Sequence, residues 1–286
     1  MLKKKPEMQR LAPAKINLSL HVLGKRPDGY HDLASVMQKI SIYDELIFSP
    51  CDGGIKLCCP GTDLPTDEKN LVYRAARAIF KHAGYMGGVE IVLTKKIPSA
   101  AGLGGGSSDA AATLVALNDL CSLNVSQSDL LKLGAKLGAD VPFFVFGSRA
   151  FATGIGDELQ VLPDFPPLNI ILINPAFELS TRKVYENLNL ALTKKKNNYS
   201  IPRFYALGDV IRELHNDLEA VSFRMHPQLN AFKQLLLDEG ALGALMSGSG
   251  PTLFGIFADE KSAKEAQDAI LKKVSGDCLV FFAQSL

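Results

Sequence analysis

A segment rich in glycine and serine, residues 98–108, has the composition of a phosphate-binding loop. It reads Pro98, Ser99, Ala100, Ala101, Gly102, Leu103, Gly104, Gly105, Gly106, Ser107, Ser108. A strand-like run precedes it, and an Ala/Leu-rich helix is expected to begin near Asp109 with Ser107 and Ser108 as caps. Glycines let the backbone approach a ligand closely, and a helix N-terminus attracts anions. The segment therefore predicts a phosphate cradle rather than a simple turn.

The cradle does not match the better-known nucleotide loops. It lacks the Gly-Lys-Ser/Thr ending of a P-loop, and Ser107 stands where the dinucleotide fingerprint needs its last glycine. The catalytic-loop and Asp-Phe-Gly sequences of protein kinases are also missing. These three classes are excluded.

Two further polar residues have positions that suit chemistry. Lys15 lies on the polar face of a strand of period two, residues 15–23, and Asn17 shares that face. Asp140 follows a helix predicted over residues 128–137 and precedes Pro142, which predicts a fixed helix-to-strand junction. Taken singly, a strand lysine and a turn carboxylate are ordinary features.

Composition limits the classes of protein. The net charge of +1 over 286 residues argues against a dedicated nucleic-acid binder. No apolar run is long enough for a membrane helix, and the N-terminal lysines are not followed by the apolar stretch of a signal peptide. Five scattered cysteines are typical of reduced thiols in a cytoplasmic protein.

The order of the elements predicts an α+β protein of two domains. Strands dominate the first part, helices follow at about residues 70–82 and 109–120, and strands and helices mix towards the end. The proline-rich segment 162–167 is the clearest interruption, so the expected domains are residues 1–162 and 163–286.

Three elements together resemble the motifs of the GHMP kinase superfamily of small-molecule kinases. They are the strand 12–17, the cradle 98–108 and the sequence Gly-Ser-Gly-Pro-Thr at residues 248–252. Further sequences narrow the resemblance to members whose acceptor is a cytidine-diphosphate-linked methylerythritol. These are Pro-Ala-Lys-Ile-Asn-Leu at 13–18, Arg-Pro-Asp-Gly-Tyr-His at 26–31, Gly-Ala-Asp-Val-Pro at 138–142 and Asn-Asp-Leu-Glu at 216–219.

The resemblance implies a fold and a reaction. The fold is the two-domain GHMP kinase fold, with an N-terminal domain like that of a ribosomal protein and a ferredoxin-like C-terminal domain. The reaction moves the γ-phosphoryl group of ATP onto the 2-hydroxyl of 4-CDP-2-C-methyl-D-erythritol, in the non-mevalonate route to isoprenoid precursors. Asp140 is then the general base, and the charge of Lys15 holds it ionised.

The resemblance also implies the ligand contacts. The cradle, residues 98–108, binds ATP, Mg²⁺ accompanies it, and Ser108 is the candidate metal ligand. The acceptor contacts are Asn17, Tyr30, His31, Thr181, Tyr185, Gly248 and Ser249. His31 reads the cytosine by hydrogen bonds, and an aromatic ring stacks on it.

One departure and three alternatives stand beside this interpretation. Many members carry Asn where this chain has Asp109, whose carboxylate is therefore expected to point away from the triphosphate. The alternatives are another GHMP kinase acting on mevalonate, its phosphate or homoserine; a nucleotide-binding regulator without catalysis; and a nucleic-acid-binding module, which the charge disfavours. The expected state is a monomer or weak homodimer without nucleic-acid or membrane partners.

Overall fold

The computed structural model describes residues 7–163, 166–175, 177–189, 201–274 and 276–286. The chain forms two compact units, each built from several segments. The first unit comprises Met1–Ala14, Ile42–Ile97 and Gly104–Gly147, and the second comprises Lys15–Ser41, Pro98–Leu103 and Ser148–Leu286. The expected boundary after residue 162 stays a prediction, and residues 164 and 165 of the proline-rich segment lie outside the described residues.

Two long strands contribute a segment to each unit: β1 (Met8–Lys25) and β2 (His31–Cys51). The first unit also contains β3 (Gly54–Cys58), α1 (Leu71–Ala83), β4 (Gly88–Thr94), α2 (Gly105–Leu120), α3 (Gln127–Leu137) and α4 (Val141–Phe146). β4 pairs antiparallel with β2 and parallel with β3.

Helix α1 begins and ends where its sequence predicts. The Asn70 side chain accepts a hydrogen bond from the Val72 amide at 2.9 Å, which satisfies one amide of the first turn. Gly84 ends the helix in the left-handed conformation, with φ of 64°. Its buried stripe, which packs into the first unit's core, consists of Val72, Ala75, Ala76, Ile79 and Phe80.

The second unit contains the remaining elements. They are β5 (Arg149–Thr153), β6 (Glu158–Val161), β7 (Asn169–Asn174), α5 (Thr181–Glu186), α6 (Leu207–Glu213), β8 (His215–Asn216), α7 (Glu219–Met225), α8 (Gln228–Asp238), β9 (Gly243–Met246), β10 (Leu253–Phe257), α9 (Glu260–Lys273) and β11 (Leu279–Gln284). The short β8 pairs in parallel with β1 at Ser19 and Leu20.

Four of these strands form an antiparallel sheet in the order β11-β7-β10-β9. Numbered along the chain, that order is 4-1-3-2, which is the order of a ferredoxin-like sheet. Its buried side chains, Ile171, Ile173, Leu253 and Phe257 among them, form one core with α8 and α9. The α+β class and the ferredoxin-like C-terminal part are confirmed.

Three local predictions are wrong. Helix α2 begins at Gly105, because Gly104 adopts a left-handed φ of 70° and is the N-cap, so Ser107 and Ser108 lie in the first turn. A helix, α4, follows Asp140 instead of a strand, because a proline in a helix's first turn costs no hydrogen bond. The polar face of β1 is buried at Lys15, Asn17 and Ser19, not exposed as expected for a half-buried strand.

Candidate active site

The second part of the cradle, residues 104–108, opens helix α2 in the first unit. No side chain caps this helix, so its first-turn amides at Gly105, Gly106 and Ser107 are available to a ligand. The Ser108 amide already donates to the Gly104 carbonyl at 2.9 Å. Ser108 is 1% exposed, and its buried hydroxyl has no hydrogen-bond partner among the described residues. Uncapped amides at a helix N-terminus are chemically suited to an anion, and the Ser108 hydroxyl lies beside them.

Behind that turn, Lys95 bridges two buried carboxylates. Its ammonium donates to Asp109 Oδ2 at 2.8 Å and to Asp44 Oδ2. Asp44 Oδ1 also accepts from the amides of Lys96 and Ile97, at 2.6 and 2.9 Å. The buried Asp109 carboxylate is thus paired with the positive charge of Lys95.

Burial is the largest single influence on the pKa values of Asp109 and Lys95. It raises the pKa of Asp109 to about 7, and it outweighs the opposing charge of Lys95. Burial lowers the pKa of Lys95, but the two carboxylates outweigh that effect, and the net pKa lies above its ordinary value. Asp109 is the less well satisfied carboxylate, because its Oδ1 has no hydrogen-bond partner among the described residues.

The first part of the cradle, residues 98–103, packs against the loop at 247–252 within the second unit. Gly102 has a φ of +77°, and a Cβ there would lie 2.2 Å from the Ser247 carbonyl oxygen. The Ser247 hydroxyl donates to the Gly102 carbonyl at 2.9 Å. Only glycine permits this approach, so the first part of the cradle packs directly against the backbone of the 247–252 loop.

Lys15 and Asn17 form a buried polar chain on β1. Lys15 Nζ donates to Asn17 Oδ1 at 2.6 Å, and Asn17 Nδ2 donates to the Ser35 hydroxyl at 2.8 Å. Ser35 in turn donates to the Ser19 carbonyl at 2.6 Å. The Lys15 amide bonds the Leu103 carbonyl at 2.9 Å, which fastens the first motif to the cradle. Lys15 is 4% exposed and is not a solvated strand lysine.

Asn216 fixes the third motif from the other side. Its Nδ2 donates to the carbonyls of Met246 and Gly248, at 2.7 and 2.8 Å. A Cβ at Gly248 would lie 3.5 Å from Asn17 Oδ1, so the loop passes close to the polar chain of β1. The second unit therefore brings together Lys15, Asn17, the first part of the cradle and the 247–252 loop.

Four of the expected acceptor contacts also meet in the second unit. The His31 ring stacks on Tyr185 with centroids 4.9 Å apart. Tyr185 lies one turn after Thr181 on α5, and the Thr181 and Ser249 hydroxyls are 2.7 Å apart. Burial, followed by the charge of Lys25, lowers the pKa of His31, which favours the neutral imidazole. A neutral ring offers both a donor and an acceptor.

Tyr30 and Asp140 differ from this group. Tyr30 is 58% exposed on the loop before β2, and it is Tyr185 that stacks on His31. Asp140 belongs to the first unit, where it is the partly buried N-cap residue of α4 in a right-handed helical conformation. The Gly138 carbonyl, two residues before Asp140, accepts a hydrogen bond from the Val141 amide at 3.1 Å. This bond fixes the turn that carries the Asp140 carboxylate.

Sequence reasoning missed three residues that hold the site. Ser247 and Asn216 anchor the third motif, and Lys95 pairs with Asp109. Asn216 stands in the quoted Asn-Asp-Leu-Glu sequence but had no role assigned to it. The sequence hints at Lys95 only through Asp109, because a buried carboxylate requires a cation nearby.

In the described part of the chain, no helix is both long and apolar enough to cross a membrane.

Comparison with known proteins places these features in a family. The GHMP kinases N terminal domain matches residues 70–148, and the GHMP kinases C terminal domain matches residues 197–277. A 4-diphosphocytidyl-2-C-methyl-D-erythritol kinase of Syntrophus aciditrophicus (strain SB) is 56% identical over 96% of this chain and 98% of its own length. One of Syntrophotalea carbinolica (strain DSM 2380 / NBRC 103641 / GraBd1) is 52% identical over 90% of this chain and 92% of its own length.

Solved structures agree with this assignment. A crystal structure of 4-(cytidine 5'-diphospho)-2C-methyl-D-erythritol kinase superposes with a TM-score of 0.81 at 35% identity, covering 98% of this chain and 100% of its own. A homoserine kinase from Cytophaga hutchinsonii ATCC 33406 has a TM-score of 0.73 at 21% identity, over 100% and 96% of the two chains, and shares the fold. The chain belongs to the GHMP kinases, in the family of the 4-diphosphocytidyl-2-C-methyl-D-erythritol kinases.

Proposed function

We propose that the protein transfers the γ-phosphoryl group of ATP to the 2-hydroxyl of 4-CDP-2-C-methyl-D-erythritol, giving the 2-phosphate and ADP. The product belongs to the non-mevalonate route to isoprenoid precursors. The observation that carries this proposal is the joint placement of Lys15, Asn17, the first part of the cradle and the His31–Tyr185 stack in one compact unit. The enzymatic class, an ATP-dependent small-molecule kinase, follows from the family.

The cradle is the proposed ATP site, with residues 98–108 as its contacts. The first-turn amides of α2 and its positive end suit the charged phosphates. Tight packing of Gly102 on Ser247 keeps the loop in the shape that this binding requires. Phosphoryl transfer depends mainly on positioning and on charge neutralisation, and a preformed loop supplies both.

Asp140 and Lys15 are the proposed catalytic residues. Asp140 takes the proton from the acceptor hydroxyl, so that the oxygen can attack the γ-phosphorus while the bond to the ADP oxygen breaks. The Lys15 ammonium supplies a buried positive charge for the reacting oxygens. Asn17 orients Lys15 through the 2.6 Å hydrogen bond.

A magnesium ion fits the residues at the start of α2. The Ser108 hydroxyl is buried and has no hydrogen-bond partner among the described residues, as expected of an oxygen that gains its partner from a bound ligand. Ser108 is the proposed ligand on the protein side, and the phosphates of ATP supply others. When bound, the ion neutralises charge on the β- and γ-phosphates.

The acceptor site is proposed at His31, Tyr185, Thr181, Gly248 and Ser249, with Asn17 and Tyr30 beside it. Neutral His31 hydrogen-bonds the edge of the cytosine, and Tyr185 offers a flat face for stacking. The paired hydroxyls of Thr181 and Ser249 suit the phosphates and hydroxyls of the acceptor. We propose that the chain works as a monomer or weak homodimer.

An acceptor panel tests the proposal. ADP release is measured with 4-CDP-2-C-methyl-D-erythritol, mevalonate, homoserine or no acceptor, at equal concentrations with ATP and Mg²⁺. We expect release well above the acceptor-free rate only with the cytidine-bearing alcohol. Release with mevalonate or homoserine instead would assign another GHMP activity. ATP binding without release for any acceptor would identify a nucleotide-binding regulator.

A further inference from the structure

Outside the proposed catalytic residues, the second unit contains a cluster of two imidazoles and a carboxylate. We call His21, His215 and Asp217 the histidine–aspartate cluster; one ligand atom from each lies within 4.8 Å of the others. The two imidazole rings stack with centroids 4.4 Å apart and planes inclined by 13°. His215 Nε2 and Asp217 Oδ1 are 2.7 Å apart.

The backbone fixes where these side chains start. β8 pairs in parallel with β1 through Ser19 with His215 and Leu20 with Asn216. The Asp217 amide then donates to the Leu20 carbonyl at 3.0 Å. His21 on β1 therefore lies beside His215 of β8 and beside Asp217, which follows β8, and side-chain rotations can bring the three ligand atoms to one ion.

Hydrogen bonds already orient the Asp217 carboxylate towards the two imidazoles. Asp217 Oδ2 accepts from the Val22 amide at 2.7 Å, which leaves Oδ1 directed at the imidazoles. Outer hydrogen bonds of this kind orient ligands in metal sites.

A small ion requires a local rearrangement of the cluster. In tetrahedral coordination, two donor atoms that each lie about 2.1 Å from zinc are about 3.4 Å apart. The widest separation in the cluster, up to 4.8 Å, must therefore close by about 1.4 Å, and the 2.7 Å contact between His215 Nε2 and Asp217 Oδ1 must open by about 0.7 Å. The His215 side chain is 37% exposed, so an ion can enter from solvent and keep water in its remaining positions.

We propose that His21, His215 and Asp217 bind one divalent transition-metal ion, with Zn²⁺ as the preferred metal. Imidazole nitrogen suits zinc and its neighbours, whereas Mg²⁺ selects oxygen ligands. The cluster is therefore separate in chemistry from the magnesium that accompanies ATP. Its ion would join β1 to β8, whose Asn216 anchors the third motif through the Met246 and Gly248 carbonyls.

The test is a titration of the full-length, nucleotide-free protein with Zn²⁺ in excess Mg²⁺, followed by calorimetry. We expect one site per chain and a higher midpoint of thermal unfolding with zinc. His21→Phe keeps a stacked ring without a ligand atom, and His215→Gln keeps a hydrogen-bond donor for Asp217. Each should weaken zinc binding about tenfold or more, since even an outer partner is worth about 10–100-fold.

Matched variants and a spectroscopic probe decide between outcomes. His82→Phe, which changes an exposed histidine of α1, should bind zinc as the wild type does. Co²⁺ reports its ligands through visible absorption, and we expect bands without a thiolate contribution. Unchanged affinity in both cluster variants, a thiolate band from the free cysteines, or no one-to-one site in the wild type would overturn the proposal. If His21→Phe does not fold, His215→Gln decides.

Discussion

The His31 imidazole stacks on the Tyr185 ring, with the two planes inclined by 29°. The two residues come from different elements of the second unit: His31 begins β2, and Tyr185 lies on α5. Thr181 on the same helix reaches Ser249 of the third motif. The proposed cytidine site is thus built from side chains that do not belong to the phosphate cradle, so the two ligands can be weakened separately.

Replacing His31 with Ala should weaken acceptor binding and leave ATP affinity nearly intact. Loss of the imidazole leaves polar atoms of the base unpaired in a partly buried site, which costs about 1–3 kcal/mol. That range corresponds to about 5- to 140-fold in affinity. Calorimetric titration of each ligand measures it, with His226→Ala as control because His226 stacks on Phe177 instead. Equal losses for both ligands would indicate a folding defect, and unchanged acceptor affinity would refute the assignment.

Asp140→Asn should abolish most turnover while both ligands still bind within a few-fold. Removing a general base costs about 10²–10⁴ in rate, and the loss should fall on kcat rather than KM. Steady-state kinetics compared with Asp119→Asn, an exposed carboxylate of the same unit, measure it. A variant that keeps more than about a tenth of the activity would contradict the role of Asp140.

Lys15→Met should also reduce turnover strongly, because it removes a buried positive charge while leaving the side-chain volume nearly unchanged. The loss should fall on kcat in steady-state kinetics, because the ammonium acts on charge that develops in the transition state. Lys15→Arg, which keeps the charge, should retain more turnover than Lys15→Met. Equal turnover in the Met and Arg variants would refute a role for the charge.

Asp109→Asn should change how stability depends on pH. Burial raises the pKa of Asp109 to about 7. The folded protein therefore holds this proton more tightly than the unfolded chain does. Its stabilising contribution is complete below the ordinary pKa of about 3.9 and is lost as the pH rises through about 7.

Denaturant unfolding from about pH 4 to 8 tests this effect. Relative to the Asn variant, the wild type should lose free energy of unfolding as the pH rises. Asp63→Asn, an exposed carboxylate of the same unit, should run parallel to the wild type. Parallel curves for wild type and Asp109→Asn would contradict the raised pKa.

Much of the secondary structure is predictable because helix ends depend on residues that are close together in the sequence. Asn70 and Gly84 mark the ends of α1 through a side-chain cap and a left-handed residue, and both act within a few residues. The start of α2 was misplaced because Ser107 and Ser108 are good caps in isolation. The left-handed turn at Gly104 takes that position instead, and sequence does not distinguish it among three consecutive glycines.

The parts of the site that depend on distant partners escaped prediction. Lys95 lies 51 residues from Asp44 along the chain, and Ser247 lies 145 residues from Gly102. Neither pairing leaves a periodic pattern in the sequence. Burial of Lys15 was missed for the same reason, since alternation shows only that Lys15 and Asn17 share a face. Their buried partner, Ser35, comes from β2.

The most direct test of the central claim is ³¹P NMR of the purified protein with ATP, Mg²⁺ and 4-CDP-2-C-methyl-D-erythritol. Transfer to the 2-hydroxyl predicts a new phosphomonoester resonance that grows in step with ADP, while the diphosphate resonances of the acceptor persist. The Asp140→Asn protein should not produce that resonance at a comparable rate. Inorganic phosphate in place of the monoester, or no consumption of ATP, would contradict the proposed reaction.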